Sequence, residues 1–144
     1  MPRPAVRILS SLLALSLAGC GGASAQAPST AGASGDPVQV LEGRASYYAD
    51  SLAGNSTASG EPYDPSALTA ASRDLPFGSL VRVVRLGPAG QPVGEVLVRI
   101  NDRGPFRDHS RILDLSRAAA ERLDMIRAGV VPIRAEVLRL GPPE

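Results

Sequence analysis

Three polar clusters in this 144-residue chain each follow an apolar stretch or sit within one, and each carries acids. Thr57-Ala58-Ser59-Gly60-Glu61-Pro62-Tyr63-Asp64 is rich in turn-forming residues, so it reads as a loop holding two carboxylates three positions apart. Asn101-Asp102-Arg103-Gly104-Pro105-Phe106 follows the strongest strand candidate. Gly104 supplies the backbone freedom for Asp102 to sit at the mouth of a sheet instead of continuing its ladder. Ile112-Leu113-Asp114-Leu115-Ser116 sets an acid among apolar neighbours just before a helix. Burial disfavours the charged form of a carboxyl and raises its pKa. A carboxyl that keeps its proton near neutrality is what general-acid cleavage of a glycosidic bond requires. Each acid also has a structural use open to it. Glu61 and Asp64 suit solvated turns, Asp102 suits pairing with Arg99 or Arg103, and Asp114 suits backbone amides near Ser116.

The elements that must position these acids are short. Leu80–Leu86 and residues 93–100 are Val- and Leu-rich with interspersed arginines, and Gly87-Pro88-Ala89-Gly90 between them is turn material. Further strands are expected at 43–49 and 133–140, with shorter ones at 67–71 and 112–115. One helix is expected at 117–124, with Ser116 as its N-cap and Gly129 beyond its end. Ala119 and Leu123, four apart, mark its inward face. Many short strands, one helix and dense turns suggest a small closed barrel, which hides its sheet edges.

Composition narrows the chemistry. Fifteen basic residues, all arginine, against fourteen acids give a net charge of +1, without the basic surplus of a nucleic-acid binder. One Cys excludes an internal disulfide or a multi-cysteine zinc cluster, and one His argues against a conventional zinc hydrolase. No metal or other cofactor is expected. Trp is absent and aromatics make up 3%, so no broad aromatic platform is available for a ligand.

The first residues read as an address. Arg3 and Arg7 precede an apolar run over 8–18, too short to span a membrane and suited to a signal-peptide core. Leu17-Ala18-Gly19-Cys20 resembles a bacterial lipobox, which implies cleavage after residue 19 and lipidation of Cys20. Each acyl chain contributes about 0.8 kcal/mol per buried methylene, so several on one Cys make a durable anchor. Gly21 stands where Asp would suggest inner-membrane retention, so a Gram-negative source would carry the protein on the outer membrane, facing the periplasm. Without Arg3 and Arg7, thirteen arginines face fourteen acids. Residues 20–40 hold the lipidated Cys and a Gly-, Ala- and Ser-rich tether, 41–140 the folded domain, and 141–144 a terminating tail.

At these residues the chain resembles the rare lipoprotein A family, whose domain is a double-psi β-barrel. The stretches that carry the likeness are Gly43-Arg44-Ala45-Ser46-Tyr47-Tyr48, residues 57–64, Leu68-Thr69-Ala70-Ala71, Leu75-Pro76-Phe77-Gly78, residues 101–106 and Arg111-Ile112-Leu113-Asp114-Leu115-Ser116, in the family's order. The resemblance implies a mainly-β fold: a six-stranded double-psi barrel with one or two short helices. It also implies an endolytic lytic transglycosylase acting on peptidoglycan glycan strands, preferably those stripped of stem peptides. Glu61, Asp64 and Asp102 match acids implicated in that activity, and Asp114 matches an acid of related expansin-like barrels, with Thr57 on the opposite lip. Tyr47, Tyr48, Tyr63, Arg103 and Phe106 stand as sugar contacts; packing the barrel is the alternative use of the aromatic ones.

The departures are specific. Ser72 replaces the family's His after Thr-Ala-Ala, Tyr47 replaces a Trp, and Ala49 replaces a Gly. Ser72 offers a hydrogen bond but cannot titrate near neutrality as His does, so weak or lost activity is one expectation. With the sequence ending at Glu144, no peptidoglycan-binding SPOR domain is expected. Asp102 is the expected acid/base: it protonates the bridging oxygen, and the sugar's own C6 hydroxyl then closes a 1,6-anhydro ring. The competing expectations are an expansin-like module that grips glycan without cutting it and a structural envelope lipoprotein.

Overall fold

The computed structural model describes residues 35–144, so the expected leader, Cys20 and most of the tether lie outside the described residues. Strands β1 (Gln39–Tyr47), β2 (Thr69–Ala71), β3 (Leu80–Leu86), β4 (Pro92–Asp102), β5 (Arg111–Leu115) and β6 (Val131–Arg139) close into a barrel in the order β1-β5-β2-β4-β3-β6. Helix α1 (Arg117–Arg122) and a 3-10 turn at Asp50–Leu52 complete the elements. β1 and β5 run parallel, as do β2 and β4, and the other four neighbouring pairs are antiparallel. This is the six-stranded double-psi barrel that the family resemblance implied.

The interior follows from strand periodicity. In β6, Val131, Ile133, Ala135 and Val137 are buried while Pro132, Arg134 and Glu136 alternate outward. Val81 and Val83 of β3 and Val96, Val98 and Ile100 of β4 fill the same core with Leu113 and Leu115 of β5. The interspersed arginines sit on the outer face, where Arg82 donates to Glu136 across the β3–β6 pair at 2.7 Å and Arg134 adds a contact at 2.9 Å.

Several boundaries differ from the sequence reading. β1 starts at Gln39 because residues 39–45 pair with β6, although Val38 and Val40 remain exposed and carry no amphipathic signal. β4 runs two residues past Ile100, so Asp102 is the last rung of the ladder and pairs with Ala71 instead of leaving the sheet. The register shift between Ala70 and Ala71 accommodates that extra rung. The chain then turns at Gly104, whose φ of 134° is a conformation that glycine adopts freely. Helix α1 ends at Arg122 and is capped by the Ser116 side chain, which accepts from the Ala119 amide at 3.3 Å.

Candidate active site

β2 lies between β4 and β5, and Ala71 at its end pairs with Asp102 on one side and Asp114 on the other. The topology thereby sets two of the four expected acids at one level of the barrel rim. Their surroundings differ.

Asp102 is half-buried. Its Oδ1 accepts from the main-chain N–H of Ala58 at 2.7 Å and of Arg103 at 2.8 Å, and its Oδ2 accepts from the Tyr48 hydroxyl at 2.6 Å. Among the described residues no guanidinium pairs with its carboxylate; the Arg103 side chain is engaged elsewhere. Burial, the hydrogen bond to Asp102 and the charges of Asp102 and Asp114 hold the Tyr48 phenol far above its ordinary pKa. It therefore stays protonated as a neutral donor or acceptor. The Tyr48 ring rests against Tyr63, with centroids 4.8 Å apart and planes tilted by 58°. The Tyr63 hydroxyl in turn accepts from the Arg117 amide at the start of α1, at 3.1 Å, satisfying one of the free N–H groups of that helix end.

The loop before β2 folds over the end of β4. Ser56 and Pro62 form a bridge, the Thr57 hydroxyl donates to the Glu61 carbonyl at 2.7 Å, and the Ser59 amide donates to the Asn101 carbonyl at 3.3 Å. Tyr48, Thr57, Tyr63 and Asp102, with Leu52, Asn55 and Ser56, line a cavity of about 210 Å³. A larger groove of about 800 Å³ lies between the β3–β4 turn and the end of α1, and none of the expected site residues lines it.

The other expected residues are placed as follows. Glu61 is exposed and held by both terminal nitrogens of Arg99 at 2.8 Å, with the Asn101 amide group at 3.3 Å. The Arg99 contact, helped by Asn101, outweighs desolvation and lowers its carboxyl pKa. Asp64 faces solvent and accepts from the hydroxyl and amide of Ser66 at 2.6 and 2.8 Å, which lowers its pKa too. Asp114 accepts from the buried Ser46 hydroxyl and lies 3.6 Å from Arg111, which also donates to Ser46 at 2.7 Å. Tyr47 alternates away from Tyr48, and its hydroxyl donates to the Ile126 carbonyl at 2.9 Å. Ser72 is 2% exposed, and its hydroxyl oxygen accepts from the amides of Asp74 and Leu75 at 3.3 and 3.2 Å. Phe106 is exposed.

The structure thus gathers Asp102, Tyr48, Tyr63 and Thr57 around one cavity, with Asp114 beside them on the rim. Glu61 lies next to this group but is ion-paired, while Asp64, Tyr47 and Ser72 direct their polar atoms elsewhere. Several participants have no side-chain signal that sequence could offer. The Ala58 amide is a main-chain donor, and Asn55 and Ser56 look like ordinary turn residues. Arg73 carries no such signal either, and it ties the turn after β2 to the next loop by donating to the carbonyls of Pro105 and Arg111. Among the described residues no three of His, Cys, Asp and Glu approach closely enough to share a metal ion.

A family model described as lytic transglycolase matches residues 40–135. The chain is 43% identical over 103 residues to the endolytic peptidoglycan transglycosylase RlpA of Campylobacter jejuni, covering 72% of this chain and 36% of that protein. It is 51% identical over 96 residues to the probable endolytic peptidoglycan transglycosylase RlpA of Treponema pallidum, covering 67% and 29%. The chain therefore spans about a third of the length of these relatives. Among solved structures, the Streptomyces papain inhibitor superposes with a TM-score of 0.54 at 27% identity, covering 72% of this chain and 97% of that one. A Clavibacter michiganensis expansin in complex with cellohexaose superposes at 0.53 and 22% identity, covering 72% and 54%, and shares the fold.

Proposed function

The chain belongs to the lytic transglycolase family, and on that footing we propose that it cleaves peptidoglycan glycan strands between N-acetylmuramic acid and N-acetylglucosamine, preferring strands without stem peptides and leaving 1,6-anhydro ends. The observation that carries this reading is Asp102, a rim carboxyl beside a small cavity, positioned by two amides and a phenol and, among the described residues, free of any guanidinium.

The steps need few groups. Asp102 protonates the bridging oxygen as the bond to the muramic acid C1 breaks, and positive charge develops on that ring. The Tyr48 hydroxyl, which both donates and accepts, stays bonded to Oδ2 in either protonation state of the acid. Asp114 of β5, across β2 from Asp102, offsets the developing charge. The carboxylate of Asp102 then takes the proton of the C6 hydroxyl, whose oxygen attacks C1 and closes the 1,6-anhydro ring. Glu61, through Arg99, and Asp64, through Ser66, hold the loop that lends the Ala58 amide to Asp102. Incubating the purified protein with denuded peptidoglycan tests this, with mass spectrometry reading 1,6-anhydro products.

A second reading, glycan binding without cleavage, draws on Ser72. It stands where the family's resemblance places a titratable His, and its hydroxyl oxygen is occupied by two amides of its own turn. Sedimentation with sacculi and no anhydro product would favour it.

Tyr48→Phe removes one hydrogen bond to a charged group, worth about 1.5 kcal/mol, or roughly tenfold in rate. Turnover is expected to fall by that factor while sacculus binding stays unchanged. Loss of binding in step with turnover would make Tyr48 a sugar contact instead.

We also propose that Cys20 carries the lipid anchor and that the protein resides on the periplasmic face of the outer membrane. The Leu17-Ala18-Gly19-Cys20 string supports this. Cys20→Ala is expected to move the protein from the membrane to the soluble fraction, and undiminished membrane retention would refute the anchor.

A further inference from the structure

One charged side chain of the Asn-Asp-Arg-Gly-Pro string takes no part in the steps above. Arg103 follows Asp102, and its guanidinium lies over the Phe77 ring, 3.9 Å from the centroid. Nη1 donates to the carbonyls of Leu75 at 2.9 Å and Ser72 at 3.2 Å, and reaches the Asp102 carbonyl at 3.5 Å. The group is fixed in orientation one residue away from the rim acid. Its Nη2 meets the side-chain carboxylate of Glu144, and the Glu144 oxygen that it contacts also accepts the Phe77 amide at 3.2 Å.

Glu144 arrives there by a close-fitting path. The Gly141 amide donates to the Ser79 hydroxyl at 2.9 Å, and a β-carbon at position 141 would stand 1.8 Å from the Phe77 carbonyl oxygen. Only glycine passes at that distance. Arg103 and then the Phe77 amide lower the Glu144 carboxyl pKa, as a receptor for a carboxylate would. The Glu144 side chain is nonetheless 47% exposed, and an exposed pair of this kind is weak enough to exchange with an external anion.

We propose that the Arg103 guanidinium and the Phe77 amide form a carboxylate seat for the free lactyl group of a muramic acid residue, and that Glu144 occupies it from within the chain as a competitor. The proposal rests on the reading of the neighbouring cleft as a peptidoglycan site. A stem peptide turns the lactyl carboxylate into an amide, whereas a stripped strand presents it as an anion. The seat therefore discriminates between the two by charge, one residue along the chain from the acid that cuts.

The test uses the full chain, with N-acetylmuramic acid and N-acetylglucosamine as probes and the Phe77 amide resonance as readout. In Glu144→Ala, N-acetylmuramic acid is expected to shift that resonance with half-saturation at about one fifth of the wild-type concentration, because the internal competitor is gone. N-acetylglucosamine, which lacks the lactyl carboxylate, leaves it unmoved. Glu144→Gln, which keeps an acceptor for the Phe77 amide, is expected to show the same ordering if the alanine variant loosens the tail. An unmoved Phe77 resonance, or equal shifts from both sugars, overturns the seat. Anhydro products without the Phe77 shift would refute the seat and sustain the cleavage reading; the shift without products would do the reverse.

Discussion

Asp102→Asn is expected to abolish detectable release of 1,6-anhydro products from denuded glycan, a loss of about a thousandfold if Asp102 is the general acid. The substitution isolates the proton because it preserves nearly everything else. An asparagine oxygen can still accept the amides of Ala58 and Arg103, and its NH2 group can donate to the Tyr48 hydroxyl, which accepts as readily as it donates. No buried partner is left unsatisfied, so folding and sacculus binding are expected to persist. What disappears is a group able to give a proton to the glycosidic oxygen and recover one from the C6 hydroxyl. Product formation by mass spectrometry and binding by sedimentation check the two halves separately. Turnover retained within about tenfold would mean that Asp102 positions the substrate and another group supplies the acid. Asp114, on the other side of Ala71, would be the first to examine.

Ile100→Ala carries the largest expected effect on stability. Ile100 is fully buried, its amide donates to the Ser79 carbonyl at 2.9 Å, and its carbonyl accepts the Gly78 amide at 2.7 Å. It therefore joins the barrel core to the turn that leads into β3. Truncating such a side chain costs about 3 kcal/mol, from lost transfer energy and the cavity left behind. In a domain of this size that corresponds to a midpoint lower by about 15 °C in thermal denaturation. It is also a large share of the 5–15 kcal/mol that is typical for a folded domain, about which the same measurement reports. Because Ile100 directly precedes Asn101 and Asp102, turnover at low temperature is expected to fall as well. A midpoint change of only a few degrees would show that the surrounding valines and leucines close over the gap.

Residues such as Ile100 were legible in advance, and residues such as Glu61 were not. The Val- and Leu-rich stretch before Asn101 reads as a buried strand, since alternation and β-branching reflect the environment of a residue on a pleated surface. Leu80–Leu86 matched its strand for the same reason, and Ser116 its cap. Glu61 and Asp102 both read as acids at the ends of apolar stretches, yet Arg99 captures the first and, among the described residues, no arginine pairs with the second. Asp64 offered the same signal and turned to Ser66, two residues away. Tyr47 and Tyr48 were equal candidates until strand alternation separated them, one hydroxyl reaching Ile126 and the other Asp102.

By itself, then, the amino-acid order determined the strand and turn content, the helix cap, the class of barrel and the set of acids from which a catalytic group is drawn. The strands, turns and cap are consequences of periodicity and propensity, and the class of barrel follows from the family resemblance that the motifs carry, all written locally along the chain. Barrel closure alone decided which of those acids share a cavity, which are neutralised by arginine, and which remote residue, Glu144, comes to rest on Arg103. The physical reason is that a hydrogen bond or ion pair depends on separations of about 3 Å. Between residues dozens of positions apart, such separations are set by the register of paired strands and by nothing in the spacing of the letters.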